Sequence, residues 1–132
     1  MILSSEQAGD MASYFTTMVE EIDNYLGTNI GIDPTQEKDL SQMRDQIALV
    51  ANNFFQTSNT LDIGDAQASI DQIQAITTQI SGNLSTLDDI NKIVNIAASV
   101  VALAQACTTA DPESIAKAIG NSIMTVNSTF GN

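Results

Sequence analysis

Paired carboxylates are the side chains whose types and spacing come nearest to catalytic chemistry in this sequence. Glu20, Glu21 and Asp23 form one group, and Asp62 with Asp65 forms another. Two carboxylates that face each other can perform glycosidase-like or metal-assisted hydrolysis without a histidine. Neighbouring helical residues point about 100° apart, so the first group is not expected to converge. The second pair lacks the alternating oxygen ligands of a calcium loop and fits a turn with a helix cap.

Other reactive groups are scarce. The chain has no histidine, which excludes the Ser-His-Asp triad, the Cys-His pair and the usual catalytic zinc ligands. No glycine-rich phosphate loop occurs. The single cysteine, Cys107, lies in an apolar run and is expected to be buried and unreactive, with a raised pKa. We therefore predict a non-enzyme with no catalytic residue, metal, cofactor or small-molecule substrate, and keep a carboxylate-dependent enzyme as the last alternative.

The charge balance is strongly acidic. Sixteen Asp and Glu residues face only four Lys and Arg residues, which gives a net charge of −12 over 132 residues. Nucleic acids and anionic membrane surfaces are normally held by basic side chains, so direct nucleic-acid binding is excluded. The scattered acids are expected mainly to keep exposed helix faces soluble, and a basic protein partner stays as the alternative.

Two rows of apolar residues in the first half of the chain predict the helices that carry most of these acidic side chains. We call these rows seams. Their apolar side chains recur at alternating steps of three and four, which is the spacing of helices that pack at shallow angles. A Ser4 and Gln7 capping box begins the first helix and Gly27 ends it, while Asp33 and Pro34 begin the second. The seams comprise Ala8, Met11, Phe15, Met18, Ile22, Tyr25, then Leu40, Met43, Ile47, Val50, Phe54 and Leu61.

Three further helices are predicted in the second half. A third begins at Ala66 and stops near Gly82, a fourth starts near Thr86, and Asp111 with Pro112 begins a fifth. The stretch 93–106 is apolar nearly all round, so the fourth helix is expected to lie at the centre of the bundle, covered by the others.

Small residues repeat at four-residue spacing in the last two predicted helices. They are Ala98, Ala102 and Ala106 in the fourth, and Ala116 and Gly120 in the fifth. Such rows let two backbones approach closely, so we predict a tight helical hairpin. The apolar hairpin 93–126 also resembles the insertion element of helical pore-forming proteins. Its most apolar stretch is about fourteen residues, below the roughly twenty that span a bilayer, so a membrane-active role is only an alternative.

The sequence thus predicts one all-α domain spanning residues 1–132. Its architecture is an antiparallel helical bundle of about five helices with coiled-coil-like seams and a central apolar fourth helix. No signal peptide or transmembrane helix is evident, which fits a cytoplasmic protein or export by a non-classical route and leaves the localisation open.

The function that this sequence favours is non-catalytic protein interaction or self-assembly. The predicted interface residues are Met11, Phe15, Met18 and Ile22, because methionine and phenylalanine make strong contacts; the alternative is that they face the core. In its weakly charged polar composition the chain resembles bacterial exported helical proteins, such as secretion-filament subunits and translocators, and small phage or toxin-neutralising proteins. This resemblance rests on composition and implies no particular functional residue.

Overall fold

The computed structural model describes residues 4–28, 31–57, 66–87, 89–109 and 111–130, and within these ranges the chain is helical with no strand. The all-α prediction is confirmed. Five α-helices carry the fold, and one short 3-10 helix, Leu84–Thr86, lies between the third and the fourth. The α-helices are α1 Ser5–Thr28, α2 Pro34–Thr57, α3 Ala66–Ile80, α4 Ile90–Thr108 and α5 Pro112–Phe130.

Local capping explains where the helices begin. Gln7 donates its backbone N–H to Ser4 Oγ at 3.1 Å, and Ser4 donates to Gln7 Oε1 at 3.0 Å, which completes the predicted capping box. Asp33 Oδ1 accepts from the N–H of Thr35 at 2.8 Å. The start of the fourth helix differs from the prediction, because the 3-10 turn occupies the region near Thr86 and the helix begins at Ile90.

Helices α1 and α2 form an antiparallel pair. The rings of Phe15 and Phe54 stack with centroids 5.5 Å apart, which places the middle of α1 beside the end of α2. Further along α1, Asp23 meets Arg44, which lies earlier in α2. Helices α4 and α5 form a second hairpin, in which Ser122 contacts Ser99. The antiparallel prediction therefore holds for these two pairs.

Helix α3 runs parallel to α1, as alternate helices do when consecutive helices are antiparallel. Gln7 contacts Gln67 near the beginnings of the two helices, and Glu21 contacts Gly82 just beyond the end of α3. Helix α3 packs against α1 and α5, while α4 packs against α2 and α5. The helices therefore follow the spatial order α2, α1, α3, α5, α4, and α4 closes the ring onto α2.

The space enclosed by this ring is filled with apolar side chains. All five helices contribute to one core. A gap of about 10 Å³ remains beside Met18, Ile22 and Ile96. This gap is lined by apolar side chains, so a water molecule inside it would have no hydrogen-bond partner. The largest fully buried side chains are Phe15, Phe54, Met11, Met18, Leu40, Ile47, Ile70, Ile73, Ile76, Ile80 and Leu84.

The prediction of a central fourth helix requires a correction. Helix α4 buries Ile93, Val100 and Leu103 in the core but leaves Ala98 and Ala102 exposed to solvent. It is one member of the ring, with an inner and an outer face. The difference arises because burial of an alanine side chain removes little apolar surface from water and so gains little free energy. Burial of the larger Ile, Val and Leu side chains gains much more.

Candidate functional site

The predicted interface residues of α1 lie in the core. Met11 and Phe15 are completely buried, Met18 is 1 % exposed and Ile22 is 2 % exposed. Of the two interpretations of this seam, the structure supports core packing, because these side chains are covered by the other helices of the same chain. A partner that meets the folded chain has to contact other residues.

The predicted small-residue rows of α4 and α5 face mainly toward solvent and do not lie between the two helices. Ala98, Ala102, Ala116 and Gly120 are exposed and Ala106 is half-buried. A Cβ atom added at Gly120 would meet nothing within 4 Å. These residues therefore do not form the predicted close contact between the two helices.

A serine two positions beyond the predicted Gly120 contacts α4 instead. Ser122 on α5 is completely buried. Ser122 Oγ donates to the carbonyl oxygen of Ser99 at 3.2 Å. The hairpin itself is present, but its contact face is rotated relative to the prediction.

The outward surface of this hairpin contains a groove of about 530 Å³. Met124 forms part of its wall and is 68 % exposed. We call the groove lining with the adjacent exposed Ala102 the α4–α5 face. The lining consists of Asn95, Ala98 and Ser99 on α4, and Met124, Thr125, Ser128 and Thr129 on α5.

Three hydroxyl groups of the α4–α5 face, those of Ser99, Thr125 and Thr129, are already engaged within their own helices. Ser99 Oγ donates to the carbonyl oxygen of Ile96 at 2.8 Å, and Thr129 Oγ1 donates to that of Thr125 at 2.8 Å. Thr125 Oγ1 likewise donates to the carbonyl oxygen of Asn121 at 3.0 Å. With their protons used internally, these hydroxyl groups offer acceptor lone pairs and no activated nucleophile, and the two threonines add their methyl groups to the surface.

Charge is distributed unevenly around the bundle. The segments 46–61, 72–87, 93–110 and 118–132 carry no charged residue. Helices α3, α5, α4 and α2 follow one another around the ring, so each of these four helices has an uncharged portion. Nine of the sixteen acids occur before residue 46, and these are Glu6, Asp10, Glu20, Glu21, Asp23, Asp33, Glu37, Asp39 and Asp45.

A second groove, of about 440 Å³, lies between α1 and α3. Its lining includes Ser13, Tyr14 and Gln74. Burial raises the pKa of Tyr14, and the nearby carboxylates of Asp10 and Asp71 raise it further. The phenol therefore stays protonated and acts as a hydrogen-bond donor, not as a base.

The acidic group at the end of α1 diverges, as the helical spacing predicts. Glu20 is exposed, Glu21 is buried, and the carboxylate of Asp23 faces Arg44. The pair Asp62 and Asp65 lies outside the described residues. Within the described ranges, no group of three His, Cys, Asp or Glu side chains is arranged to hold a metal ion.

Cys107 is buried, as its apolar context predicts. Burial raises the pKa of its thiol from 9.0 to about 12. The thiolate is therefore not populated near neutral pH, and neither metal binding nor nucleophilic attack by this sulfur is favoured.

The outward face of α4 carries a signal that the apolar pattern obscured. Its exposed residues follow each other at steps of four, three, four and three, which is the spacing of one helix face. Two asparagines begin this exposed face, and two alanines and a glutamine continue it along the helix. These residues are Asn91, Asn95, Ala98, Ala102 and Gln105.

Comparison with known proteins gives no relative: no family model, no curated protein and no solved structure matches this chain.

Proposed function

We propose that this chain is a non-catalytic helical protein whose activity is binding to other protein molecules through the α4–α5 face. The observation that carries the proposal is the combination of a groove, an exposed Met124 and two charge-free helix segments on one side of a molecule with a net charge of −12. Contact surfaces between proteins are depleted of charge at their centre and enriched in methionine.

The chemistry of the face supports a protein partner over a small substrate. The hydroxyl protons of Ser99, Thr125 and Thr129 are bonded within the helices, so these side chains offer dispersion contacts and scattered acceptors instead of converging catalytic groups. Lys92 and Lys117 are the basic residues of α4 and α5, too few to hold a nucleic-acid backbone.

Site-specific photo-crosslinking tests this proposal. In one variant a photoreactive amino acid replaces Ala102 on the face. In the matched control it replaces Gln46, an exposed residue of α2. The folded protein is irradiated in an extract of its source cells, and adducts are identified by mass spectrometry. We expect a discrete protein adduct, either with this chain or with another, from position 102 only. Equal adducts from both positions, or none from 102, contradict the proposal.

Membrane insertion is a second candidate, supported by one observation. Helix α4 has 19 residues and a mean hydropathy of 1.5, long and apolar enough to cross a bilayer, although core helices of soluble proteins share these properties. Release of a dye from phosphatidylcholine vesicles tests this candidate. Rapid release at neutral or acidic pH supports insertion, and intact vesicles at both pH values contradict it.

A further inference from the structure

The groove between α1 and α3 is lined by uncharged polar side chains that carry hydrogen-bonding groups. Its volume of about 440 Å³ lies in the range of sites for small ligands. A molecule in this groove meets hydroxyl and amide groups together with one aromatic ring. The lining consists of Ser13, Tyr14 and Thr17 on α1, Gln74, Thr77 and Thr78 on α3, and Ser81 just after α3.

Tyr14 brings an aromatic face and a phenol group to this groove. Its ring is half-buried and packs against the core. Among the described residues the phenol has no hydrogen-bond partner, and neither α1 nor α3 carries a Lys or Arg. The face of an aromatic ring attracts cations, and the phenol oxygen accepts hydrogen bonds from N–H groups. This side chain therefore suits a positively charged nitrogen group.

Two carboxylates lie at one end of the groove. Asp10 precedes Tyr14 by four residues on α1, and Asp71 precedes Gln74 by three residues on α3. Each acid therefore lies on the groove-lining face of its helix, one turn earlier. Because α1 and α3 are parallel, both acids reach the same end. Both also raise the pKa of Tyr14, as carboxylates near the phenol do. This end of the groove attracts cations and repels anions.

Hydrogen bonds hold one of these carboxylates in place without neutralising it. Gln67 Nε2 donates to Asp71 Oδ1 at 2.9 Å. Gln7 Nε2 donates to Gln67 Oε1 at 3.4 Å, which links α1 to α3 beside the acids. Within the ranges that the structure describes, neither Asp10 nor Asp71 forms an ion pair. Both side chains are exposed, so their charges are available to an external cation.

We propose that this groove binds an organic cation with N–H donors, an ammonium or guanidinium group, held by the carboxylates of Asp10 and Asp71 and the ring of Tyr14. Thr17 Oγ1 and Thr78 Oγ1 each donate to a backbone carbonyl of their own helix. Their lone pairs accept the N–H groups that do not reach a carboxylate. Free polyamines and the basic side chains of proteins both carry such cations. The site goes beyond the proposed function, since it shares no lining residue with the α4–α5 face.

Tyrosine fluorescence of the full-length protein tests the proposal, because the chain has two tyrosines and no tryptophan. In the variant Tyr25→Phe, Tyr14 is the only tyrosine that emits. In the matched variant Tyr14→Phe, only Tyr25 emits, while the groove keeps an aromatic ring. Each protein is titrated with spermidine, a free polyamine, and with a capped glycine peptide that carries two lysines. Circular dichroism confirms that every variant is folded.

Two substitutions made in the Tyr25→Phe protein test the role of charge. Asp71→Asn removes a charge at the groove but keeps an oxygen that accepts from Gln67, whereas Asp39→Asn removes an exposed charge on α2. We expect a saturable change in Tyr14 emission. Asp71→Asn should weaken binding at least about fivefold and Asp39→Asn less than about twofold, because a distant exposed charge is screened. The emission of Tyr14→Phe should not change.

The two probes distinguish the sources of the cation. A response to spermidine alone identifies a free polyamine as the ligand, and a response to the peptide identifies a basic segment of a protein. No saturable change with either probe up to about 10 mM overturns the proposal. Equal weakening by Asp71→Asn and Asp39→Asn also overturns it, because it indicates general attraction to an acidic chain. An equal change in Tyr25 emission does the same. Crosslinking from position 102 tests the α4–α5 face independently of these results.

Discussion

The carboxylate of Glu21 accepts a hydrogen bond from the backbone N–H of Gly82, a residue 61 positions further along the chain. Gly82 has a φ of +77°, a conformation that glycine adopts without strain. The bond joins α1 to the turn that follows α3, and so fixes the parallel alignment of these two helices.

Loss of this bond should destabilise the fold measurably. Glu21→Ala is expected to lower the free energy of unfolding by roughly 1–2 kcal/mol, because a bond to a carboxylate on a buried side chain is lost. Glu21→Gln, which keeps an acceptor oxygen, should lose about half as much. Urea denaturation provides the measurement. The exposed neighbour Glu20 supplies the control, and a Glu20→Ala variant as unstable as Glu21→Ala would refute this role.

The stacked rings of Phe15 and Phe54 make the α1–α2 contact sensitive to truncation. Both rings are buried, so Phe15→Ala should cost roughly 3–5 kcal/mol, the range for deleting a core aromatic ring. Phe15→Asp should prevent folding, because it buries a charge without a partner. The control variant Leu49→Asp should remain folded, because the Leu49 side chain on α2 is exposed. A folded Phe15→Asp protein that has lost only its ability to associate would instead restore the interface interpretation of this residue.

The ion pair between Arg44 and Asp23 should contribute little stability despite its good geometry. The guanidinium donates twice to the carboxylate, from Nε at 2.9 Å and from Nη2 at 3.1 Å, but both side chains are more than a third exposed. A double-mutant cycle with Arg44→Ala and Asp23→Ala should give a coupling of about 1 kcal/mol or less, reduced by salt. A coupling unchanged by salt would contradict a solvent-screened pair.

Cys107 should make the fold less stable in alkali. Below its unfolded pKa near 9.0 the thiol is protonated in both states, and the fold has its full stability. Above that pH the unfolded chain ionises while the folded thiol, with a pKa of about 12, keeps its proton. Stability should therefore fall as pH rises, with a limiting slope of about 1.4 kcal/mol per pH unit.

The variant Cys107→Ala isolates this effect. Tyr14 and Tyr25, whose pKa values burial also raises, remain in both proteins and cancel in the comparison. Urea denaturation under reducing conditions between about pH 7 and about pH 10 should show the wild-type curve falling more steeply than that of the variant. Parallel curves would contradict a buried, protonated thiol.

Local patterns in the sequence predicted the helices and much of the core. The Ser4 and Gln7 capping box and the Asp33–Pro34 start both form as expected. The spatial order of the helices was not predictable in the same way, because a seam shows which face is buried but not which helix covers it. The Glu21 contact with Gly82 was hidden for a related reason: no local pattern links residues 61 positions apart.

The outward face of α4 was missed because alanine occurs readily on either side of a helix. Counting Ala98 and Ala102 with the apolar residues made the helix appear apolar all round. The regular spacing of Asn95 and Gln105 with these alanines is the physical signal of an exposed face. That face became a candidate site only once the neighbours of α4 were known.

Binding through the α4–α5 face requires that Ala98 and Ala102 of α4 point outward. Thiol labelling of Ala98→Cys and Ala97→Cys, each combined with Cys107→Ala and measured in dilute solution, tests it most directly. Ala98 is exposed and Ala97 is 1 % exposed, although they are neighbours in sequence. We expect the thiol of Ala98→Cys to react as fast as a thiol in an unfolded peptide. The thiol of Ala97→Cys should react at least about a hundredfold more slowly, because its reaction requires local opening. Equal protection at both positions, or faster reaction at 97, would contradict the account.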